Sequence, residues 1–229
     1  VLPHPGRRRR PRARARVCLL TQSYPWLRMS TVVVFVRHGQ THFNLEGRWQ
    51  GWLDGEGCQL TKQGVAQARA LGARWNQEGM AFDAVYSSDL GRAFTTAEIV
   101  SEPLGHKGHV KVDKRLREQG FGIFQNRTHE EVRQSHPQAW IRMNMLDPNW
   151  RAEGGESMED VTRRAWAAVL EIVKRNLGKR ILVVAHGGTI RYIVRQILSI
   201  PWDSVKRFRL KNTSATTIIF DEHGSPTLD

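Results

Sequence analysis

The sequence is short of cysteine, short of long apolar runs and, over its first 28 residues, without a single acidic side chain. Each shortage excludes something. Two cysteines, Cys18 and Cys58, cannot build a disulfide framework, and neither stands in a metal-ligand spacing. A reducing, cytoplasmic setting is therefore expected. No apolar run approaches the roughly 20 residues that a spanning helix needs, so no membrane partner is expected.

The missing acids also locate the charge. The 229 residues carry 35 basic and 22 acidic side chains, a formal net charge of +13. Eight arginines fall within residues 1–28, which leaves 27 basic against 22 acidic residues, or +5, for the remainder. A body so mildly basic suits anionic substrates and requires no nucleic acid. Residues 1–28 combine prolines, an arginine run and no helical period, so they are expected to form a disordered tail. An RNA or membrane tether is one reading of this tail. An export signal is disfavoured, because Val17–Leu20 is short and no small-residue cleavage site follows. Met29-Ser30-Thr31 directly before an apolar strand is read as the true start, with a single domain over residues 29–229.

What is present begins with that strand. Val32 to Val36 is an unbroken β-branched and aromatic run, the pattern of a strand buried on both faces. It stops without a spacer at Arg37-His38-Gly39. A second apolar strand, Ile181 to Ala185, stops at His186-Gly187-Gly188. As parallel neighbours in one sheet, the two would bring His38 and His186 together at its carboxyl edge, where ligands bind in open α/β sheets. A helix following Gly188 would aim its amino-terminal amides at the same place, and Arg37 offers a planar fork of donors; both favour a phosphate or sulfate.

Between the strands, Gln40–Thr61 reads as a polar loop. Thr61 caps a helix over about 62–77 with Val65, Ala68 and Trp75 inward. Phe82–Tyr86 is a strand, and Ser87-Ser88-Asp89 offers cap chemistry for a helix over 90–100. A strand near 110–113 leads to Leu116-Arg117-Glu118. Residues 123–155 read as an irregular cap, Glu156-Ser157 opens a long amphipathic helix ended by Gly178 at the C′ position, and a helix over 189–198 and a strand over 215–220 close the chain. The βαβα alternation predicts a three-layer α/β/α sandwich with a mainly parallel mixed sheet.

Together these segments resemble a known family. Arg37-His38-Gly39-Gln40-Thr41 with Asn44, Arg48-Trp49-Gln50-Gly51 with Asp54, Ser87-Ser88-Asp89-Leu90-Gly91-Arg92-Ala93, Leu116-Arg117-Glu118, and Val184-Ala185-His186-Gly187-Gly188 are similar, in order, to the motifs of the histidine phosphatase superfamily, which includes the cofactor-dependent phosphoglycerate mutases. The resemblance runs from about Val32 to Phe220 and implies a phosphoglycerate mutase-like fold. It makes His38 the nucleophile and phosphohistidine carrier, Glu118 the general acid, and Arg37, Arg92 and His186 the phosphate-binding set. Asn44, Gln50 and Gly187 match positions near the phosphate or substrate. No metal and no cofactor are implied.

The chemistry requires a neutral His38 with one ring nitrogen held by an acceptor, cationic partners including a protonated His186, and a Glu118 that is protonated at the outset. Mutases resemble Glu-Arg-His-Tyr-Gly after the acid and carry a longer insertion. Here the chain reads Glu118-Gln119-Gly120-Phe121-Gly122, with about 37 residues between Glu118 and Glu156. Both departures favour a phosphatase of small phosphorylated metabolites over a mutase; an RNA-binding protein acting through the basic tail is the alternative from another class. The segment Gly55-Glu56-Gly57-Cys58 lengthens the loop after Asp54 relative to the family. Arg117, Arg127 and Arg151 could hold a substrate anion or lie solvated on the surface, and Trp140 and Trp150 could line the pocket or pack the cap. His106 and His109 are expected in solvent. The oligomeric state is not encoded in any motif.

Overall fold

Apolar residues in succession along a strand must be covered on both sides, and the chain does this with helices above and below one sheet. A computed structural model of the protein describes residues 30–229. The expectations for the tail 1–28 and for Met29 as the start lie outside the described residues. Six strands form: β1 (Thr31–Arg37), β2 (Ala84–Ser87), β3 (Val110–Val112), β4 (Arg180–Ala185), β5 (Ala215–Phe220) and β6 (Pro226–Leu228). Their order across the sheet is β3-β2-β4-β1-β5-β6. The first four are mutually parallel where they pair, and β5 and β6 add an antiparallel edge.

The helices are α1 (His42–Glu46), α2 (Lys62–Gln77), α3 (Gly91–Ser101), α4 (His129–Ser135), α5 (Pro137–Asn144), α6 (Met158–Arg175) and α7 (Gly187–Leu198). Side chains alternate across a strand, so β1 and β4 feed two cores. Val33, Phe35, Ile181 and Val183 pack with Ala165, Val169 and Ile172 of α6 and with Ile190 and Ile193 of α7. Val34, Val36, Leu182 and Val184 pack with Ala68 and Trp75 of α2 and with Ala93, Ala97 and Val100 of α3. This is the expected α/β/α sandwich.

Five local expectations are corrected. The polar loop after β1 contains α1, opened by a reciprocal cap between Thr41 and Asn44. The segment read as irregular contains α4 and α5, and α4 is likewise opened by a Thr128–Glu131 capping box. Helix α3 takes no N-cap bond from Ser87 or Asp89, and Ser88 Oγ reaches only the N–H of Leu90, the N-cap residue, at 3.3 Å. Its Gly91 N–H donates instead to Asp54 Oδ1 at 2.7 Å, from a loop distant in sequence. Helix α7 starts at Gly187 rather than Thr189, with His186 itself as the N-cap residue. The opening of α6 at Ser157 is as read, but its C-cap is Asn176, which leaves Gly178 (φ +73°) one position beyond C′.

Candidate active site

Register brings the two histidines together. Arg37 at the end of β1 lies opposite Ala185 at the end of β4, and the His38 N–H donates to the Ala185 carbonyl at 3.0 Å. The next residue on each strand is then a histidine at the same rim. The two rings lie 5.3 Å apart between centroids, with their planes at 57°. His38 Nδ1 is 2.7 Å from the Gly39 carbonyl. A carbonyl can only accept, so the proton sits on Nδ1 and the Nε2 lone pair is available. Burial, then the Arg92 and Arg37 charges, hold the His38 pKa well below the ordinary value. The ring is therefore neutral, as a nucleophile must be.

His186 departs from expectation. Burial, then Arg92 and His38, push its pKa well down too, away from the protonated form. Both of its ring nitrogens are buried and have no hydrogen-bond partner among the described residues. Buried polar atoms of that kind are rare in folded proteins and mark a place where a ligand atom is expected.

The two arginines are anchored by backbone carbonyls rather than by direct ion pairs. Arg37 Nη1 donates to the Leu210 carbonyl at 2.6 Å. Arg92, only 1% exposed at the start of α3, donates from Nη1 to Leu53 O at 2.9 Å and from Nη2 to Gly51 O at 2.7 Å. The Nε atoms of both have no protein partner. Burial lowers both pKa values, with the Glu118 charge acting in the opposite direction; a guanidinium nonetheless stays charged in proteins. Gly39 is required by closeness: a Cβ there would lie 2.7 Å from the Gly64 carbonyl of α2. Its N–H donates to Thr96 Oγ1 at 3.0 Å.

Glu118 stands across the rim, in the loop after β3. Its Oε2 accepts from Gly188 N at 3.0 Å, and its Oε1 accepts from Thr189 N at 3.2 Å and Gln119 N at 3.0 Å. The amides at the start of α7 were expected to face a bound anion. Instead the protein's own carboxylate occupies that helix terminus, which suits any negative group. The main chain at Glu118 is fixed from behind. Its carbonyl accepts from Trp52 Nε1 and from Arg164 Nη2, both at 2.9 Å. Arg164 also donates to the Arg115 and Arg117 carbonyls and forks onto Glu156 at 2.8 and 2.7 Å.

A cavity of about 240 Å³ joins Arg37, His38, Asn44, Gln50, Arg92 and Glu118. Asn44 Oδ1 accepts from Thr41 N and Asn212 Nδ2, and Gln50 Oε1 accepts from Thr41 Oγ1. Gly187 lies behind Arg37, where a Cβ would come 3.3 Å from Nε. The lengthened loop folds against α1: Phe43 N donates to Gly57 O at 2.9 Å, and Cys58 is buried. The other candidates are structural. Arg117 forks onto Asp89 at 2.7 and 2.6 Å, Arg127 donates to Ile123 O, and Arg151 pairs with Asp160. His106, expected in solvent, bonds the Phe82 carbonyl at 2.6 Å. Trp140 packs in the cap, edge-on to His129, while Trp150 lines a second cavity. Among the described residues no group of three His, Cys, Asp or Glu could hold a metal, and no helix is long and apolar enough to cross a membrane.

Sequence reasoning missed Arg164, Asn212, His129 and Arg191. His129 stacks on Trp49 at 4.7 Å and lines the cavity, its pKa lowered by burial. Asn212 Nδ2 holds the His38 carbonyl at 3.0 Å. Arg191 carried a usable signal: it follows Gly187 and Gly188 by four and three positions, the spacing of one helix face.

Comparison with known proteins decides the family. Residues 33–228 match the family model of the histidine phosphatase superfamily (branch 1). The chain belongs to the histidine phosphatase superfamily. Within this superfamily, the probable phosphoglycerate mutase GpmB of Salmonella paratyphi B is 35% identical over 191 residues, covering 83% of this chain and 85% of its own length. Bacillus stearothermophilus YhfR is 34% identical with a TM-score of 0.77, over 86% of this chain and 95% of that one. The mycobacterial glucosyl-3-phosphoglycerate phosphatase Rv2419c is 32% identical with a TM-score of 0.74, over 86% and 97%. A phosphoserine phosphatase from Entamoeba histolytica is 30% identical with a TM-score of 0.73, over 86% and 94%. This member of the superfamily therefore shares its sandwich with phosphatases and with mutase-like proteins alike.

Proposed function

We propose that this histidine phosphatase hydrolyses small phosphomonoesters in the cytoplasm through a phosphohistidine on His38, without a metal or other cofactor. The observation that carries this reading is the His38 ring itself. It is buried, with its pKa held well below the ordinary value, and tied at Nδ1 to the Gly39 carbonyl; it stands beside two arginines that are anchored by backbone carbonyls and, among the described residues, form no direct ion pair. Neighbours named as phosphatases of glucosyl-3-phosphoglycerate and phosphoserine support a small phosphorylated metabolite as substrate.

In the first step His38 Nε2 attacks phosphorus and the ester P–O bond breaks, with Glu118 passing a proton to the leaving oxygen. In the second step water attacks the phosphohistidine and gives its proton to Glu118, and the P–N bond breaks to release phosphate. Arg37, Arg92 and His186 bind the phosphoryl oxygens, with Asn44 and Gln50 beside them and Gly187 admitting Arg37 behind. A phosphate monoester hydrolyses extremely slowly in water, so fixed positive charge and positioning carry most of the acceleration. A bound phosphate dianion would also draw His186 toward its protonated form, because an adjacent negative charge favours the cation.

The test is phosphate release from a panel of phosphorylated metabolites, with and without EDTA. Turnover indifferent to the chelator and reduced at least roughly 10³-fold by His38→Ala is expected; undiminished turnover in that variant contradicts the reading. The likeness to GpmB supports a mutase as the second reading, in which 3-phosphoglycerate is converted to 2-phosphoglycerate faster than phosphate is released. Catalysis is assigned to residues 29–229. Deleting 1–28 is expected to leave turnover intact, and RNA binding that disappears with the deletion would reveal a separate function of the tail.

A further inference from the structure

The catalytic cavity does not end at Glu118. A second cavity of about 170 Å³ lies under the cap, walled by Phe124, Met143, Trp150, Ala152, Met158 and Val205. It shares Trp49, Glu118, Phe121 and Arg191 with the first. Because Glu118, the proton donor of the proposed mechanism, sits at the junction, the phosphoryl group belongs on the His38 side and the leaving group on the cap side. Arg191 stands in the passage between them. Its Nε donates to the Gly187 carbonyl at 3.0 Å, one turn back along α7. Among the described residues no carboxylate lies within ion-pair distance of its guanidinium. That bond fixes the plane of the fork and leaves both Nη groups free. Lys206 is the other cation on the wall of the cap cavity, and it is exposed.

We infer that Arg191 is a specificity-determining residue that reads a carboxylate on the leaving group, so that the preferred substrates are phosphomonoesters carrying a carboxylate on a body of several apolar atoms. The inference rests on the phosphatase reading and names the substrate class of the same site. A guanidinium held by one edge presents two parallel N–H donors to a planar carboxylate. An apolar wall lowers the competition from water, and an unpaired cation at its edge rejects a leaving group that offers it no partner. The bulk of the body is accommodated by the tryptophan and methionine side chains of the cap.

The test compares kcat/KM for two isosteric esters, 4-carboxyphenyl phosphate and 4-carbamoylphenyl phosphate, together with the corresponding 3-substituted pair. In the wild-type enzyme at least one carboxylate ester is expected to exceed its amide by about 10- to 100-fold, the worth of one hydrogen-bonded charge pair. Arg191→Met and Arg191→Gln should bring that ratio close to one, chiefly through KM. Arg191→Lys should retain part of it, and Lys206→Met should leave the ratio standing. A wild-type ratio near one, a ratio that persists in both neutral Arg191 variants, or a ratio abolished instead by Lys206→Met overturns the assignment. Hydrolysis of the amide esters by the variants shows that they are folded. Failure of the phosphatase reading looks different: the wild-type enzyme then releases phosphate from none of the esters, or His38→Ala releases it as well.

Discussion

At His38 one short bond selects the chemistry. With Nδ1 donating to Gly39 O, the imidazole can only present its Nε2 lone pair, and burial beside Arg92 and Arg37 keeps it unprotonated. In the proposed mechanism Glu118 has the complementary task, and its value depends on the leaving group. Glu118→Gln is expected to lower kcat by about 10²–10⁴-fold for alkyl phosphates, whose leaving oxygens need a proton. For p-nitrophenyl phosphate, which leaves as a stable phenolate, the loss should be much smaller. Equal losses for the two would show that the carboxylate is not the proton donor. The residues legible from their neighbours are His38, His186 and Arg37, next to strand ends and glycines, whereas Glu118 and Arg92 were legible only through the family resemblance. Arg164 and Asn212 act through carbonyls brought close only by folding, so nothing near them in sequence points to their partners.

Among the elements, the start of α7 couples the two halves of the site. Gly188 and Thr189 hold the Glu118 carboxylate, and a Cβ on Gly188 would collide with Glu118 Oε1. Gly188→Ala is therefore expected to displace the carboxylate and lower kcat by about 10²-fold, since small misplacements of a reacting group have costs of that size; a crystal structure of the variant should show the Glu118 shift. Arg164, on α6, is a positioning residue for the same carboxylate. Arg164→Met should reduce kcat and displace the pH–rate profile, while Arg164→Lys restores part of both. A variant that loses only thermal stability, with an unmoved profile, would make Arg164 merely structural. Helices α2 and α6 were legible from their caps and their 3.6-residue pattern. Helices α4 and α5 were not, because their apolar residues serve a small local core around Phe124 and Val132, apart from the sheet. Packing to a distant partner hides short helices from any periodic pattern.

The whole molecule stores a cost in this pocket. Two buried histidines with lowered pKa values bind fewer protons folded than unfolded once the pH drops below 6.5. Stability of the ligand-free protein is therefore complete above pH 6.5 and falls as the pH is lowered, toward the depressed folded-state values. Each histidine contributes a slope of up to about 1.4 kcal/mol per pH unit. Urea unfolding midpoints measured between pH 7.5 and 5 should fall less steeply in His186→Gln than in the wild-type protein. Identical slopes would mean that His186 is not held neutral. Orthovanadate, a phosphate-like anion, should oppose this loss by binding the folded form alone. The sandwich itself was legible from two apolar strands and the alternation of helices, whereas the antiparallel β6 edge, three residues opening on a proline, was too short to announce itself.

All of this converges on one covalent bond, from His38 Nε2 to phosphorus. The direct measurement is rapid acid-free quenching of the enzyme during turnover of a ³²P-labelled phosphomonoester, followed by peptide mapping of the label. The account predicts a base-stable, acid-labile phosphoryl group on the peptide containing His38, absent from His38→Ala and accumulating to the largest extent when the second step is slowed by Glu118→Gln with a phenolic leaving group. Turnover without any labelled protein under these conditions, or label on another residue, would contradict it.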